Sequence, residues 1–197
     1  MSGATVEARL AAQMAFLAEA DRLKSVLRGT TLHDGSRHEN SAEHTWHICL
    51  YALTLAEHAD RPVKIDRVLR MLLLHDLVEI DAGDAPIHGS HDPAEQARTE
   101  RAAADRIFGL LPPDQAAAFR ALWEEFEAAE TDDAVFAKSV DRVQPVVSNL
   151  EAGGASWITY AVTPDQLDSR VGARVRRGAP RLWAHLAPRI SAWFAAR

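Results

Sequence analysis

The chain has 197 residues, of which 47% are apolar and 25% charged, and its formal net charge is -6. This length and composition predict one folded domain with a continuous core and exclude a disordered chain. Lysine and arginine are not concentrated in any stretch, which argues against a long polyanion such as nucleic acid as a partner.

The sequence has neither a basic N-terminal stretch followed by an apolar one nor ~18 uninterrupted apolar residues. We therefore expect no signal peptide and no membrane partner. The one cysteine, Cys49, lies in an apolar stretch and excludes an internal disulfide. These features predict a cytoplasmic protein in which Cys49 serves as a small apolar side chain.

The abundance of alanine, leucine, glutamate and arginine predicts an all-α chain without strand-rich regions. A first helix is expected over about 5–27, and a polar loop then runs to Asn40. Ser41 is a suitable N-cap for a second helix that ends near His58, and a third is expected over about 64–80. Further helices are predicted over about 93–110, 113–128, 132–150, 164–177 and 180–196.

His75 and Asp76 directly follow four consecutive apolar residues of the third predicted helix. Two ionisable groups at such a position are costly unless they are paired or bound to a metal. With His44 and Asp141 from two other helices, they would place two imidazoles and two carboxylates around one ion. Any of the four taken alone could instead be a surface or capping residue. His47, one turn after His44, could exchange roles with it, although a packing role is the simpler interpretation.

The order of these residues resembles the HD superfamily of metal-dependent phosphohydrolases, and within it the YfbR-like 5'-deoxynucleotidases. Residues 37–44, Arg-His-Glu-Asn-Ser-Ala-Glu-His, are similar to that branch's Arg-x-Glu-Asn-x-x-Glu-His motif. Residues 75–86, His-Asp-Leu-Val-Glu-Ile-Asp-Ala-Gly-Asp-Ala-Pro, are similar to its His-Asp-x-x-Glu-x-x-x-Gly-Asp-x-Pro signature. Residues 138–141, Lys-Ser-Val-Asp, resemble the segment that brings the last ligand.

The resemblance implies a single compact HD-domain helical bundle over 1–197. The metal-site core would span about 23–150, and additional C-terminal helices would span about 155–197. It implies one divalent metal ion, and a mixed nitrogen and oxygen set suits Mn, Co, Fe, Zn or Mg. The implied ligands are His44, His75, Asp76 and Asp141.

The resemblance also implies catalytic roles for two carboxylates. Glu79, one turn past the His-Asp pair, is expected to act as general acid or base or to position water. Asp84 is expected to help activate the attacking water. The alternatives are a solvated helix position for Glu79 and an ordinary turn residue for Asp84.

Three cations are expected to contact the substrate phosphate. Arg28 resembles the family's phosphate-binding arginine, since a guanidinium matches two phosphate oxygens, but it could instead neutralise the C-terminal end of the first helix. Arg37 could be a second phosphate contact or could pair with Glu39 or Glu43. Lys138 is a candidate for the pocket wall.

The sequence departs from the deoxynucleotidase pattern at Gly29, where that branch has a tryptophan near the sugar. Selection of a 2'-deoxy sugar is therefore not predicted, although Trp46 or His33 could fill the space. His88 and His91 lie in a loop soon after the third helix, too early for the usual ligands of a second metal. We expect them at the pocket rim or on the surface.

The predicted function is metal-dependent hydrolysis of a (deoxy)nucleoside 5'-monophosphate or a similar small phosphomonoester. One alternative is HD chemistry on a phosphodiester or triphosphate, and another is a non-catalytic metal or nucleotide sensor. A homodimer is expected because the relatives are often dimers. The aromatic residues of the C-terminal half are expected in the core, with a dimer interface as the alternative.

Overall fold

The computed structural model describes residues 5–197 and confirms the predicted all-α class. The helices are α1 (Val6–Ala20), α2 (Ser41–Leu55), α3 (Ile65–His75), α4 (Glu79–Ala82), α5 (Pro93–Phe108), α6 (Pro113–Ala128), α7 (Asp132–Glu151), α8 (Ala155–Thr159), α9 (Pro164–Leu167), α10 (Ala173–Gly178) and α11 (Pro180–Ala195). None of the helices in this part of the chain has both the length and the apolar character that a bilayer span requires.

Several helices end earlier than predicted because the chain changes into other helical turns, which are tighter 3-10 turns in two cases and a wider π turn in the third. The first helix becomes a 3-10 turn at Asp21–Ser25, and the third becomes one at Asp76–Val78 before α4 begins. A π turn at Asp168–Gly172 separates α9 from α10. The tightened turn after α3 is functionally relevant, because it holds the aspartate of the His-Asp pair.

The predicted loop between the first two helices contains a short antiparallel hairpin. Strand β1 (Leu27–Thr31) pairs with β2 (His38–Asn40), so that Leu27 lies opposite Asn40. The polar segment lacks the apolar alternation by which strands are recognised in a sequence. The hairpin places Arg28 and Glu39 next to each other, with 4.0 Å between Nε and Oε2.

The N-cap of α2 is Asn40 rather than the predicted Ser41. The Asn40 side chain accepts a hydrogen bond from the Glu43 amide at 2.9 Å, and the Glu43 carboxylate accepts one from the Asn40 amide at 3.1 Å. This reciprocal capping box satisfies two amides that a helix start otherwise leaves open. It fixes the first turn of α2, which carries His44.

Helix α7 lies at the centre of the fold, packed against α2, α3, α6 and α10. Its inward side is buried along most of its length. The aromatic residues of the C-terminal half pack in or against the core: Trp123, Phe126, Trp157 and Trp183 are buried, and Trp193 is partly buried against it. Because α2, α3 and α7 are mutual neighbours, one polar side chain from each can meet inside the core.

Candidate metal centre

His44 lies fully buried in the first turns of α2. Its Nδ1 is 2.9 Å from the Gln144 carboxamide oxygen, which can only accept a hydrogen bond. Nδ1 therefore carries the proton, and the Nε2 lone pair is left to face Asp141 Oδ1 at 3.1 Å. This is the tautomer that a metal ligand requires.

His75 ends α3 with the same arrangement of its ring nitrogens. Nδ1 donates to the Leu72 carbonyl oxygen at 2.7 Å. Nε2 is buried and has no hydrogen-bond partner within residues 5–197, although Asp76 Oδ1 lies 2.8 Å away. A buried nitrogen without a hydrogen-bond partner, facing carboxylates, is consistent with an ion bound between them. Ligand atoms of His44, His75 and Asp141 all lie within 4.8 Å of one another.

The electrostatics of this cluster favour a cation at its centre. Burial lowers the pKa of His75, but the Asp76 and Asp141 carboxylates outweigh it and raise that pKa to about 10. Burial likewise opposes ionisation of Asp76, yet the positive charges of His75 and Arg28 bring its pKa to about 2. A proton and a divalent ion would compete for such a site. The geometry and charges therefore fit the predicted ligand set of His44, His75, Asp76 and Asp141.

Two further carboxylates face the cluster, each with one oxygen held and the other directed at Arg28. Glu79 Oε2 accepts a hydrogen bond from Ser41 Oγ at 2.6 Å, while Oε1 lies 3.7 Å from Arg28 Nη1. Asp84 Oδ2 accepts one from the Gly29 amide at 2.9 Å, while Oδ1 lies 3.7 Å from the same nitrogen. Burial, helped by the Asp76 charge, raises the pKa of Glu79 well above its usual value. Neither side chain is a solvated helix or turn residue.

Arg28 reaches this group from β1. Its Nη1 donates to Asp76 Oδ2 at 3.0 Å, and its side chain is 11% exposed. The alternative that Arg28 caps the first helix is not what the structure shows, because the helix has already ended at residue 25. Arg28 is therefore brought together with the predicted metal ligands.

Arg37 is not brought to the cluster. Its exposed side chain donates from both terminal nitrogens to the Glu43 carboxylate, at 2.9 and 2.6 Å. The structure thus has the ion pair that the sequence offered as the alternative to a phosphate contact, and it leaves Arg37 away from the predicted metal ligands. Charge pairing six residues along the chain is sufficient to hold the guanidinium at the surface.

Lys138 lies one aromatic ring away from the cluster. Its Nζ donates to Glu127 at 2.9 Å and lies 4.1 Å from the centre of the Phe126 ring, which in turn contacts the His75 ring. The structure thus places Lys138 beside Phe126 and Glu127 and not among the predicted metal ligands. The ion pair with Glu127 and the cation–π contact hold the ammonium group there.

A cleft opens beside the cluster. Arg28, Asp84 and Arg142 line the part next to the metal ligands, and Gly29 and Tyr160 form another part of its wall. Its remaining lining includes the apolar side chains Ile87, Val146, Trp157 and Leu167. His88 also lines this cleft, and a position at the pocket rim was expected for it from the sequence. His91 is not among the lining residues.

Sequence reasoning missed two residues of this site, Gln144 and Arg142. Gln144 lies three residues after Asp141, so both occupy one face of α7, and that spacing was an available signal. Arg142 is adjacent to Asp141 in sequence, and no periodicity distinguishes it from a surface arginine. Its position in the cleft follows only from the packing of α7.

The helical fold buries two histidines and two aspartates around one point, and two further carboxylates lie beside them. Such an arrangement is typical of a helical metal-binding protein whose site is equipped for hydrolysis. Residues 20–183 match the family model described as HD domain. The chain belongs to the HD-domain family, which confirms the resemblance found in its motifs.

Relatives in this family include curated proteins and a solved structure. The 5'-deoxynucleotidase HDDC2 of Xenopus laevis is 31% identical over 137 residues, which are 69% of this chain and 67% of that protein. The human protein of the same name is 31% identical over 69% of this chain and 66% of its own length, so the match spans about two thirds of these relatives. The 5'-deoxynucleotidase yfbR of Photorhabdus temperata is 25% identical over 81% of this chain and 84% of that protein.

The crystal structure of a predicted metal-dependent phosphohydrolase from Magnetospirillum magnetotacticum MS-1 is similar to this chain, with a TM-score of 0.88 and 51% identity. The match covers 94% of this chain and 95% of that one. The similarity therefore includes the C-terminal helices beyond the cluster.

Proposed function

We propose that this HD-domain protein is a metal-dependent phosphohydrolase that converts a nucleoside 5'-monophosphate, or a similar small phosphomonoester, to an alcohol and phosphate. The observation that carries the proposal is the placement of Glu79, Asp84 and Arg28 directly beside the His44–His75–Asp141 cluster. A binding protein needs the ligands alone, whereas hydrolysis also needs groups that move protons. The relatives named 5'-deoxynucleotidase support a nucleotide substrate.

The residues that would hold the metal are His44, His75, Asp76 and Asp141. A divalent ion there supplies charge neutralisation at the phosphate and lowers the pKa of a bound water. The two imidazoles offer their Nε2 lone pairs because Gln144 and the Leu72 carbonyl oxygen hold their Nδ1 protons. Two neutral nitrogens and two carboxylates suit a hard or borderline ion.

Glu79 and Asp84 divide the proton transfers. The Gly29 amide holds one oxygen of Asp84, so the other is free to orient and deprotonate the attacking water. Ser41 holds one oxygen of Glu79 in the same way, and the other can carry a proton to the leaving alkoxide. Arg28 lies between the two carboxylates and keeps them apart while it balances their charge.

Release of inorganic phosphate tests this proposal. The purified protein is incubated with 2'-deoxyribonucleoside and ribonucleoside 5'-monophosphates, sugar phosphates, a phosphodiester and a nucleoside triphosphate, each with Mn, Co, Fe, Zn or Mg. We expect release from a monophosphate with at least one ion. Turnover of the diester or triphosphate alone would favour the alternative substrates, and no turnover with any pair would favour the metal or nucleotide sensor.

Replacement of the proton-transfer carboxylate provides the first mutational prediction. Glu79→Gln keeps the size of the side chain and its bond to Ser41 but removes the acid–base function. We expect kcat to fall by about 10²–10⁴-fold with the metal content unchanged. Metal content is measured by elemental analysis, with the exposed Glu95→Gln on α5 as the control. Loss of metal in Glu79→Gln would instead make Glu79 a ligand.

We further propose that residues 1–197 form one domain and that the protein acts in the cytoplasm. The family match over 20–183 crosses the boundary predicted between core and C-terminal helices. Helices α10 and α11 both pack on α7, which carries Asp141. The reduced state expected of Cys49 and a nucleotide substrate support the location.

We also propose a homodimer, in which α1 provides the interface. Trp123, Phe126, Trp157 and Trp183 are buried within the chain and are not available to a second copy. The outward side of α1 instead carries large apolar side chains that are each more than half exposed: Val6, Leu10, Met14 and Leu17. Contiguous exposed apolar surface of this kind is typical of contact sites.

A further inference from the structure

Two arginines line the cleft beside the cluster, and their surroundings differ. Arg28 has four carboxylates within 4.0 Å, and one of them, Asp76, accepts its hydrogen bond. The positive charge of Arg28 is thus already balanced inside the site. A phosphate dianion would have to compete with these fixed carboxylates for the same guanidinium.

Arg142 has no comparable partner among the residues described. Its Nε is buried and makes no hydrogen bond, as is also true of Arg28 Nε, but the carboxylate within 4.0 Å of Arg142 is that of Asp141 alone, whose Oδ2 lies 3.7 Å away. The side chain is 28% exposed and lines the cleft. A buried N–H of a charged group without an acceptor is unfavourable, so this guanidinium is suited to an anion that enters the cleft.

The neighbouring His88 adds no negative charge that would compensate the charge of Arg142. His88 lines the same cleft, and burial together with the charges of Arg170 and Arg142 lowers its pKa to about 4. Its imidazole is therefore neutral near pH 7. Arg142 and Arg28 thus both line the cleft, and each lies against a predicted metal ligand, Asp141 and Asp76 respectively.

We propose that Arg142 binds the phosphate of the substrate. The inference rests on the proposed phosphohydrolase function and names the residue that holds its substrate. The ligand class is a phosphomonoester dianion whose organic group is flat or apolar. Such a group matches the remaining cleft lining of Ile87, Val146 and Trp157.

Binding and kinetics of Arg142→Gln test the proposal on the full-length, metal-loaded protein. A charge-assisted hydrogen bond is worth ~1.5–3 kcal/mol, so we expect the Kd of inorganic phosphate, measured by calorimetry, to rise about 10–150-fold. KM for the nucleoside monophosphate should rise similarly while kcat changes by less than about fivefold. Arg142→Lys should recover part of the affinity.

Two other arginines provide the comparison. Arg28→Gln should lower kcat more than it raises the phosphate Kd, because it misplaces the two carboxylates. Arg174→Gln, an exposed arginine on α10, should change neither. Metal content and the melting temperature show whether each variant is folded and loaded.

An unchanged phosphate Kd in both Arg142 variants would overturn the proposal. So would a loss of phosphate binding in Arg28→Gln alone, or undetectable phosphate binding by the metal-loaded wild type. Failure of the proposed function has a different signature, since wild-type protein would then release no phosphate from any ester. In that case the change in phosphate Kd on Arg142→Gln still decides the role of Arg142.

Discussion

Gln144 connects His44, a predicted metal ligand, to the hairpin through a fully satisfied buried amide. Its Oε1 accepts from His44 Nδ1 at 2.9 Å, and its Nε2 donates to Glu39 Oε1 at 3.0 Å and to Ser148 Oγ at 3.1 Å. Burial raises the pKa of Glu39, which the nearby positive charges only partly oppose. The orientation of His44 thus depends on a residue of α7 and a residue of β2 together.

Replacement of this amide should weaken metal binding without removing a ligand. Gln144→Leu keeps the approximate volume but leaves His44 Nδ1 without its acceptor. We expect metal affinity to fall about 10–100-fold, as is usual when the partner of a ligating histidine is lost. Competition with a chelator measures this. Gln115→Leu, which removes a glutamine bonded to Gln13 far from the cluster, is the control, and an equal loss in both variants would contradict a specific role.

The predicted ligands could be found from the sequence because ionisable residues directly after a buried apolar run are costly unless a metal or an ion pair compensates their charge. The cations could not be assigned in this way. Arg37, Arg28 and Arg142 are all arginines near ligands in the sequence. The carboxylates that lie near each arginine in the folded protein decide which of them reaches the site. Arg37, for example, is held at the surface by Glu43.

At the scale of elements, the long helices were predictable and the short ones were not. The boundaries of α6 follow from Pro113 and the positive φ of Ala129, and the predicted range 113–128 is correct. The hairpin and α8 have no local periodicity and form because neighbouring elements hold them. β1 and α8 contact each other, and this contact shapes the cleft wall.

Gly29 and Tyr160 meet at that contact. A Cβ at position 29 would lie 3.1 Å from the Tyr160 hydroxyl and 3.2 Å from Pro86. The space that a tryptophan occupies in the resembling branch is thus bordered here by a tyrosine from the end of α8. A large side chain at 29 has to displace this ring.

We therefore expect Gly29→Trp to destabilise the protein by about 1–3 kcal/mol, the usual cost of overpacking. Tyr160→Ala in the same chain should recover most of this loss, because it opens the space. Urea unfolding of the two single variants and the double variant measures the coupling. If the free-energy changes of the two single variants simply add in the double variant, Tyr160 does not limit the side chain at position 29. Selection of the sugar is measured separately, as the ratio of kcat/KM for the deoxyribonucleotide to kcat/KM for the ribonucleotide.

At the scale of the whole molecule, α1 has an inverted distribution of polar and apolar residues. Its inner side packs on α6 partly through polar pairs, in which Arg9 contacts Asp114 and Gln13 contacts Gln115, although Phe16 also meets Phe119. Its outer side carries the four exposed apolar residues of the proposed interface. A helix of a monomer normally places its apolar side inward. The direction in which this apolar side faces depends on how α1 docks.

A charge in the middle of that outer side should separate the two copies of a dimer. Leu10 is 56% exposed, so Leu10→Glu costs the isolated chain little, whereas in a dimer it buries a carboxylate against apolar side chains. We expect light scattering after size exclusion to give a dimer mass for the wild type and a monomer mass for Leu10→Glu. Leu53→Glu, at a 54% exposed leucine of α2, is the matched control and should remain dimeric. A monomeric wild type would exclude the dimer. If Leu53→Glu is a monomer while Leu10→Glu remains a dimer, the interface lies on α2 and not on α1.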